Sequence, residues 1–111
     1  MANWYSTSFE TTDKDIVDII KNGRTIDFYY NENDCTGYCR LAWGIASFDM
    51  EKAAEIAEEH KSSFYIKSSD YLVETIQECG YKDGVEVLAE TRHEPVEWGE
   101  ITEDFDGEFF S

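Results

Sequence analysis

Residues 38–67 read YCRLAWGIASFDMEKAAEIAEEHKSSFYIK, and this stretch constrains the fold more than any other. Cys39, Leu41, Trp43 and Ile45 recur at every second position, the period of a half-buried strand. Ser47-Phe48-Asp49 then offers a side-chain oxygen to the unpaired amides of a helix start. Met50, Ala53, Ala54 and Ala57 fall on one helix face, while Glu51, Lys52, Glu55, Glu58 and Glu59 occupy the other. Ser62-Ser63 breaks the helical pattern, and Phe64 and Ile66 return to a period of two. A strand–helix–strand unit of this kind predicts a layered α+β protein.

The preceding residues supply a matching half. Residues 3–10 alternate as a strand, and residues 11–15 (TTDKD) read as a helix start with Thr12 as the cap. Ile16, Val17, Ile19 and Ile20 form the buried side of a short helix that Asn22-Gly23 is expected to end in a left-handed stop. Residues 25–30 are β-branched and aromatic, and the polar turn 31–34 leads back through Gly37. The order predicts α+β, a ferredoxin-like split βαββαβ with a four-stranded antiparallel sheet and two helices on one face. The expected core joins Trp43, Leu41, Phe64, Ile66, Ile16, Ile20, Met50 and Ala54.

Beyond Lys67, residues 71–81 and 85–91 flank Lys82-Asp83-Gly84 and read as an extra C-terminal hairpin. A two-residue Asp83-Gly84 turn would mix glutamates with apolar residues on both faces, which argues against that register. Residues 71–79 also fit a short helix after Ser69.

Pro95 punctuates the chain, dividing a domain over 1–93 from an acidic aromatic segment over 94–111. That segment carries Glu94, Glu97, Glu100, Glu103, Asp104, Asp106 and Glu108, no Lys or Arg, and the aromatics Trp98, Phe105, Phe109 and Phe110. Either its aromatics dock on the domain's own core, or they anchor a basic partner inside a charged rim.

The whole chain has 25 acids against nine Lys and Arg, a formal charge of −16 over 111 residues. Such a balance repels nucleic acid and anionic lipid and attracts basic protein surfaces. No segment approaches the roughly 20 apolar residues of a membrane span, and residues 1–10 lack the pattern of a signal peptide, so the expected location is the cytoplasm. Cys35, Cys39 and Cys79 read as free, mostly buried thiols. A zinc site would need Cys35, Cys39, Cys79 and His60 or His93, without the second paired knuckle that such sites use. No cofactor is expected.

The sequence also holds no phosphate-binding glycine loop, nucleophile elbow or paired-histidine zinc motif. His60 and His93 read as surface or capping residues, and no carboxylate pair stands out for acid–base work. Tyr5, Tyr29 and Tyr38 could stack bases on a sheet, but phosphate affinity comes from Lys and Arg, and the net charge opposes it. The expectation is a protein that is not an enzyme and does not bind nucleic acid directly.

The opening Met1-Ala2-Asn3-Trp4 resembles the start of the YubB-type ferredoxin-like domains of bacteriophages and plasmids. Leu41-Ala42-Trp43-Gly44, the helix after it, Phe64-Tyr65-Ile66 and Tyr81-Lys82-Asp83-Gly84 are similar in kind and spacing to that family's second half. The sequence departs from the family in having Tyr5 where Cys is common and Gly44-Ile45-Ala46 where Pro usually follows the Trp. The resemblance implies a fold and a mobile-element origin, and no catalytic residues.

Acids on one helix face lie roughly 5–6 Å apart and those at alternate strand positions roughly 6.6 Å apart, of the order of phosphate spacing along a nucleic-acid strand. The expected function is therefore an anti-defence inhibitor (anti-CRISPR or anti-restriction) that occupies the basic nucleic-acid groove of a host nuclease or nuclease-guide complex. The residues expected to make contact are Glu55, Glu58 and Glu59 together with Glu94, Glu97, Trp98, Glu100, Glu103, Asp104, Phe105, Asp106 and Glu108. The alternative is a solvated interaction module whose acids carry no recognition, and catalysis on a small ligand comes third.

Overall fold

The computed structural model describes residues 3–70 and 72–94. Strand β1 (Trp4–Thr11) is followed by helix α1 (Lys14–Lys21), strands β2 (Thr25–Asn31) and β3 (Thr36–Ala42), and a 3-10 turn over Gly44–Ser47. Helix α2 (Met50–His60), β4 (Phe64–Asp70), β5 (Thr75–Lys82) and β6 (Val85–His93) complete it. All strands pair antiparallel in one sheet of order β2-β3-β1-β4-β5-β6. The sheet thus has six strands rather than four. The expected extra hairpin does not stand apart, because β5 pairs with β4 from Thr75 to Tyr81 and continues the sheet.

Register explains the core. Gly37, Phe9, Ile66 and Cys79 lie side by side across β3, β1, β4 and β5, as do Thr11, Phe64 and Tyr81. Phe9, Ile66, Cys79, Phe64 and Tyr81 share a cluster with Ile16, Val17 and Ile20 of α1 and Ala53 and Ala57 of α2. The Phe9 ring lies over Gly37, where an added Cβ would come within 2.2 Å of Cζ. It also stacks with Phe28 and Tyr30 at centroid distances of 5.8 and 6.0 Å. The next row is polar: Thr7 Oγ1 and Ser68 Oγ are 2.8 Å apart in the buried interior, so hydroxyls pair where the helices give out.

Of the expected core, Leu41, Phe64, Ile66, Ile16 and Ile20 are buried, and Met50 and Ala54 pack against them half-buried. Trp43 is the exception, at 47% exposed. Strand pairing ends at Ala42, and Trp43 turns into the left-handed region at φ 63°, swinging its side chain outward as the 3-10 turn begins. The period-two pattern through Ile45 therefore overran the strand by two alternations. What the 3-10 turn does instead is cap the polar end of the sheet, through the Ile45 amide donating to Gln77 Oε1 at 2.7 Å.

Three further local expectations are corrected. The α1 cap is Asp13, which accepts from the Asp15 amide at 3.0 Å, while Thr11 Oγ1 accepts from the Asp13 amide and Thr12 stays outside the cap. Helix α1 ends on Asn22 in right-handed geometry, φ −85°, with no left-handed residue. Gly23 is instead a close-approach position, where a Cβ would lie 2.7 Å from Phe48 Cβ. The hairpin does use the two-residue Asp83-Gly84 turn, with φ 52° and 83°. A bulge between Gly80 and Tyr81 leaves Val87 without a partner, and glutamates and apolar residues stay mixed on the faces of β6, which is exposed along most of its length. Residues 75–82 are strand, not helix.

Candidate acidic interface

Helix α2 presents Glu51, Glu55, Glu58 and Glu59 to solvent, and Glu51, Glu55 and Glu58 at i, i+4 and i+7 make a stripe down one side. None of the four has an ion pair among the described residues. The sheet differs. Arg92 reaches Glu78, Glu90 and Glu94 at 3.2–3.3 Å, and Arg40 faces Asp27 at 3.7 Å. Lys14 pairs with Glu32 at 3.1 Å. The carboxylates beside Arg92 raise its pKa, its hydrogen bond to Glu78 most of all. Some acids of the sheet thus have a cation within ion-pair distance, while the four glutamates of the α2 row have none among the described residues.

Beside that row the hairpin and α2 diverge. At one end they touch: the Gly84 amide donates to Ser62 O and the Asp83 amide to Ser63 Oγ, both at 2.9 Å. A Cβ on Gly84 would be 2.9 Å from Ala57 O, so only glycine lets the turn sit this close to the helix. At the other end Ile45 and Phe48 line the space between the layers together with the short side chain of Ala54. The result is a groove of about 630 Å³, with Cys79 and Tyr81 at its floor and Met50, Ala54 and Ala89 on its walls. The charged residues lining it are Glu51, Glu78, Glu86 and Glu90, with no Lys, Arg or His. Glu86 accepts from the Tyr81 hydroxyl at 3.2 Å. Burial, then this acidic neighbour, push the Tyr81 hydroxyl pKa up. Burial likewise pushes the Cys79 thiol up to about 11 and that of Cys39, in the core, to about 12.

Glu55, Glu58 and Glu59 thus come together on one helix surface, and Glu94 sits on Arg92 at the end of β6. Glu97, Trp98, Glu100, Glu103, Asp104, Phe105, Asp106 and Glu108 lie outside the described residues. Sequence reasoning missed the role of Glu51 and Glu86 as facing rims of one groove. The signal was long-range: only the β4–β5–β6 pairing brings residue 86 across from residue 51.

A second cluster joins the two helix ends. Asp13, Asp15 and His60 hold their ligand atoms within 4.8 Å of one another; among the described residues no cysteine belongs to such a group. His60 Nδ1 is 2.9 Å from Asp13 Oδ2, and Nε2 is 3.9 Å from Asp15 Oδ2. Burial opposes ionisation of Asp13, but the neighbouring Ser62 hydroxyl, His60 and the Asp15 amide outweigh it and hold its carboxyl below the ordinary 3.8. The same contact raises His60 above 6.5. Asp13 is fully engaged as cap and ion-pair partner, which accounts for the cluster without a ligand.

No helix among the described residues is long and apolar enough to cross a membrane. The chain matches no protein-family model, no curated protein and no solved structure.

Proposed function

We propose that this chain is an acidic inhibitory module of mobile-element origin, in which strands β2-β3-β1-β4 and the two helices form a ferredoxin-like body of the YubB type. It occupies the basic nucleic-acid groove of a host nuclease or nuclease-guide complex in the cytoplasm. The observation that supports this reading is the row Glu51, Glu55, Glu58 and Glu59 on α2, none of which is ion-paired among the described residues, whereas Asp27, Glu78 and Glu90 of the sheet lie against Arg40 or Arg92. A rigid helix fixes those charges at a spacing near that of phosphates, and ionic attraction to a basic groove speeds association and sets specificity. The acids after Pro95 extend the negative surface in sequence. The body contributes position and charge and performs no chemistry.

The test is to recover host proteins on the tagged chain at low and moderate salt, and then to compete each captured nuclease with duplex DNA. Inhibition that DNA relieves and that weakens with salt supports the reading, because screening reaches about 10 Å at 0.1 M. A chain that binds no nuclease at any salt, or that itself binds DNA, overturns it and leaves a solvated interaction module.

A further inference from the structure

The groove between α2 and the β5–β6 hairpin has the size of a small-ligand or side-chain cleft, at about 630 Å³. Its floor and walls are apolar, its charged lining is wholly acidic, and Ala89 on its outer wall is exposed. Glu78 and Glu90 are both ion-paired with Arg92, whereas Glu51 and Glu86 have no ion pair among the described residues. An apolar trough between two unmatched carboxylates selects an occupant that is apolar in the middle and cationic at its flanks.

Charge narrows the occupant further. The chain's own segment after Pro95 carries six acids and no Lys or Arg, and a second copy brings another −16, so both are repelled from this rim. Nucleic acid is repelled for the same reason. We propose that the groove is a peptide-docking site: it seats an apolar side chain of a basic segment of the partner protein between Met50, Ala54 and Ala89, while Lys or Arg residues flanking that anchor meet Glu51 and Glu86. This inference rests on the reading of the partner as a basic protein, and it adds a buried anchor to what is otherwise a contact between surface charges.

Anisotropy of a fluorescein-labelled twelve-residue peptide of Lys and Leu, alongside a Lys–Ser peptide of equal charge, tests it. The Lys–Leu peptide is expected to bind at least tenfold tighter than Lys–Ser. Ala89→Trp, at an exposed edge-strand position checked for intact folding by circular dichroism, should remove most of that advantage by filling the trough. The double reversal Glu51→Lys/Glu86→Lys should weaken binding several-fold more than Asp18→Lys/Asp34→Lys, which alters net charge equally but far from the groove. Equal affinity for the two peptides, no effect of Ala89→Trp, or equal effects of the two reversals would each overturn the docking site. A nuclease inhibited equally by wild type and Ala89→Trp would overturn the anchor while sparing the proposed function. Peptide docking without any nuclease bound would do the reverse.

Discussion

His60 Nδ1 lies 2.9 Å from Asp13 Oδ2, so the last turn of α2 is tied to the cap of α1 by one ion pair. Because His60 is raised, its contribution is fully present below its unfolded pKa of about 6.5 and is lost as pH rises through the folded value. Asp13 is depressed, so its contribution is present above about 3.9 and is lost as pH falls through its folded value. The stabilisation is therefore greatest between about pH 4 and 6.5. Asp13→Asn keeps a competent cap and removes the charge. Its melting-temperature deficit should be largest near pH 5.5 and shrink above pH 8. His60, followed by NMR titration, should fall toward 6.5 in the variant.

Trp43 and Phe64 should separate sharply on truncation. Phe64 is buried and stacked on Tyr81 at 5.1 Å, so Phe64→Ala should cost about 3–5 kcal/mol in urea unfolding. Trp43 is half out in water in a left-handed conformation. Trp43→Gly relieves that backbone strain, about 1 kcal/mol per residue for an L side chain, and should leave stability unchanged or raised.

That contrast shows what the sequence could carry. Residues 50–60 are helical and 36–42 extended as their periods demand, since a local pattern is enough where one face is buried. Trp43 continues the alternation yet faces solvent, because a sharp turn at residue 43 overrides period two. The bulge at Val87 was hidden for a related reason: it exists only once β5 and β6 are paired. Glu55, Glu58 and Glu59 were legible as a helix face, whereas the Glu51–Glu86 groove needed the whole sheet to be assembled.

Gly37 should tolerate no side chain. Phe9 occupies the space that a Cβ would need, so Gly37→Ala is expected to cost about 1–3 kcal/mol, the range for overpacking a filled core. Phe9→Leu in the same background should recover part of the loss, a coupling that a double-mutant cycle would measure. Additive effects would contradict the contact.

The thiols should differ in their access to reagent. Cys39 and Cys79 are buried with pKa values pushed to about 12 and 11, while Cys35 is half-buried in a turn. A thiol reagent at pH 8 should modify one cysteine in the native protein and three after denaturation, since the thiolate is the reactive form. Rapid native modification of Cys79 would show that the groove floor opens.

The hydrogen bond from the Ile45 amide to Gln77 Oε1 bears on how a guest would be received. It fixes the mouth of the trough with a polar pin of 2.7 Å, and Gly44 leaves no room for any side chain beside that oxygen. At the far end the Gly84 amide clasps Ser62 O. With both ends held by backbone amides, the cleft is expected to keep its width when empty. An incoming side chain then meets a mould already cast, and association costs little beyond ordering the guest itself.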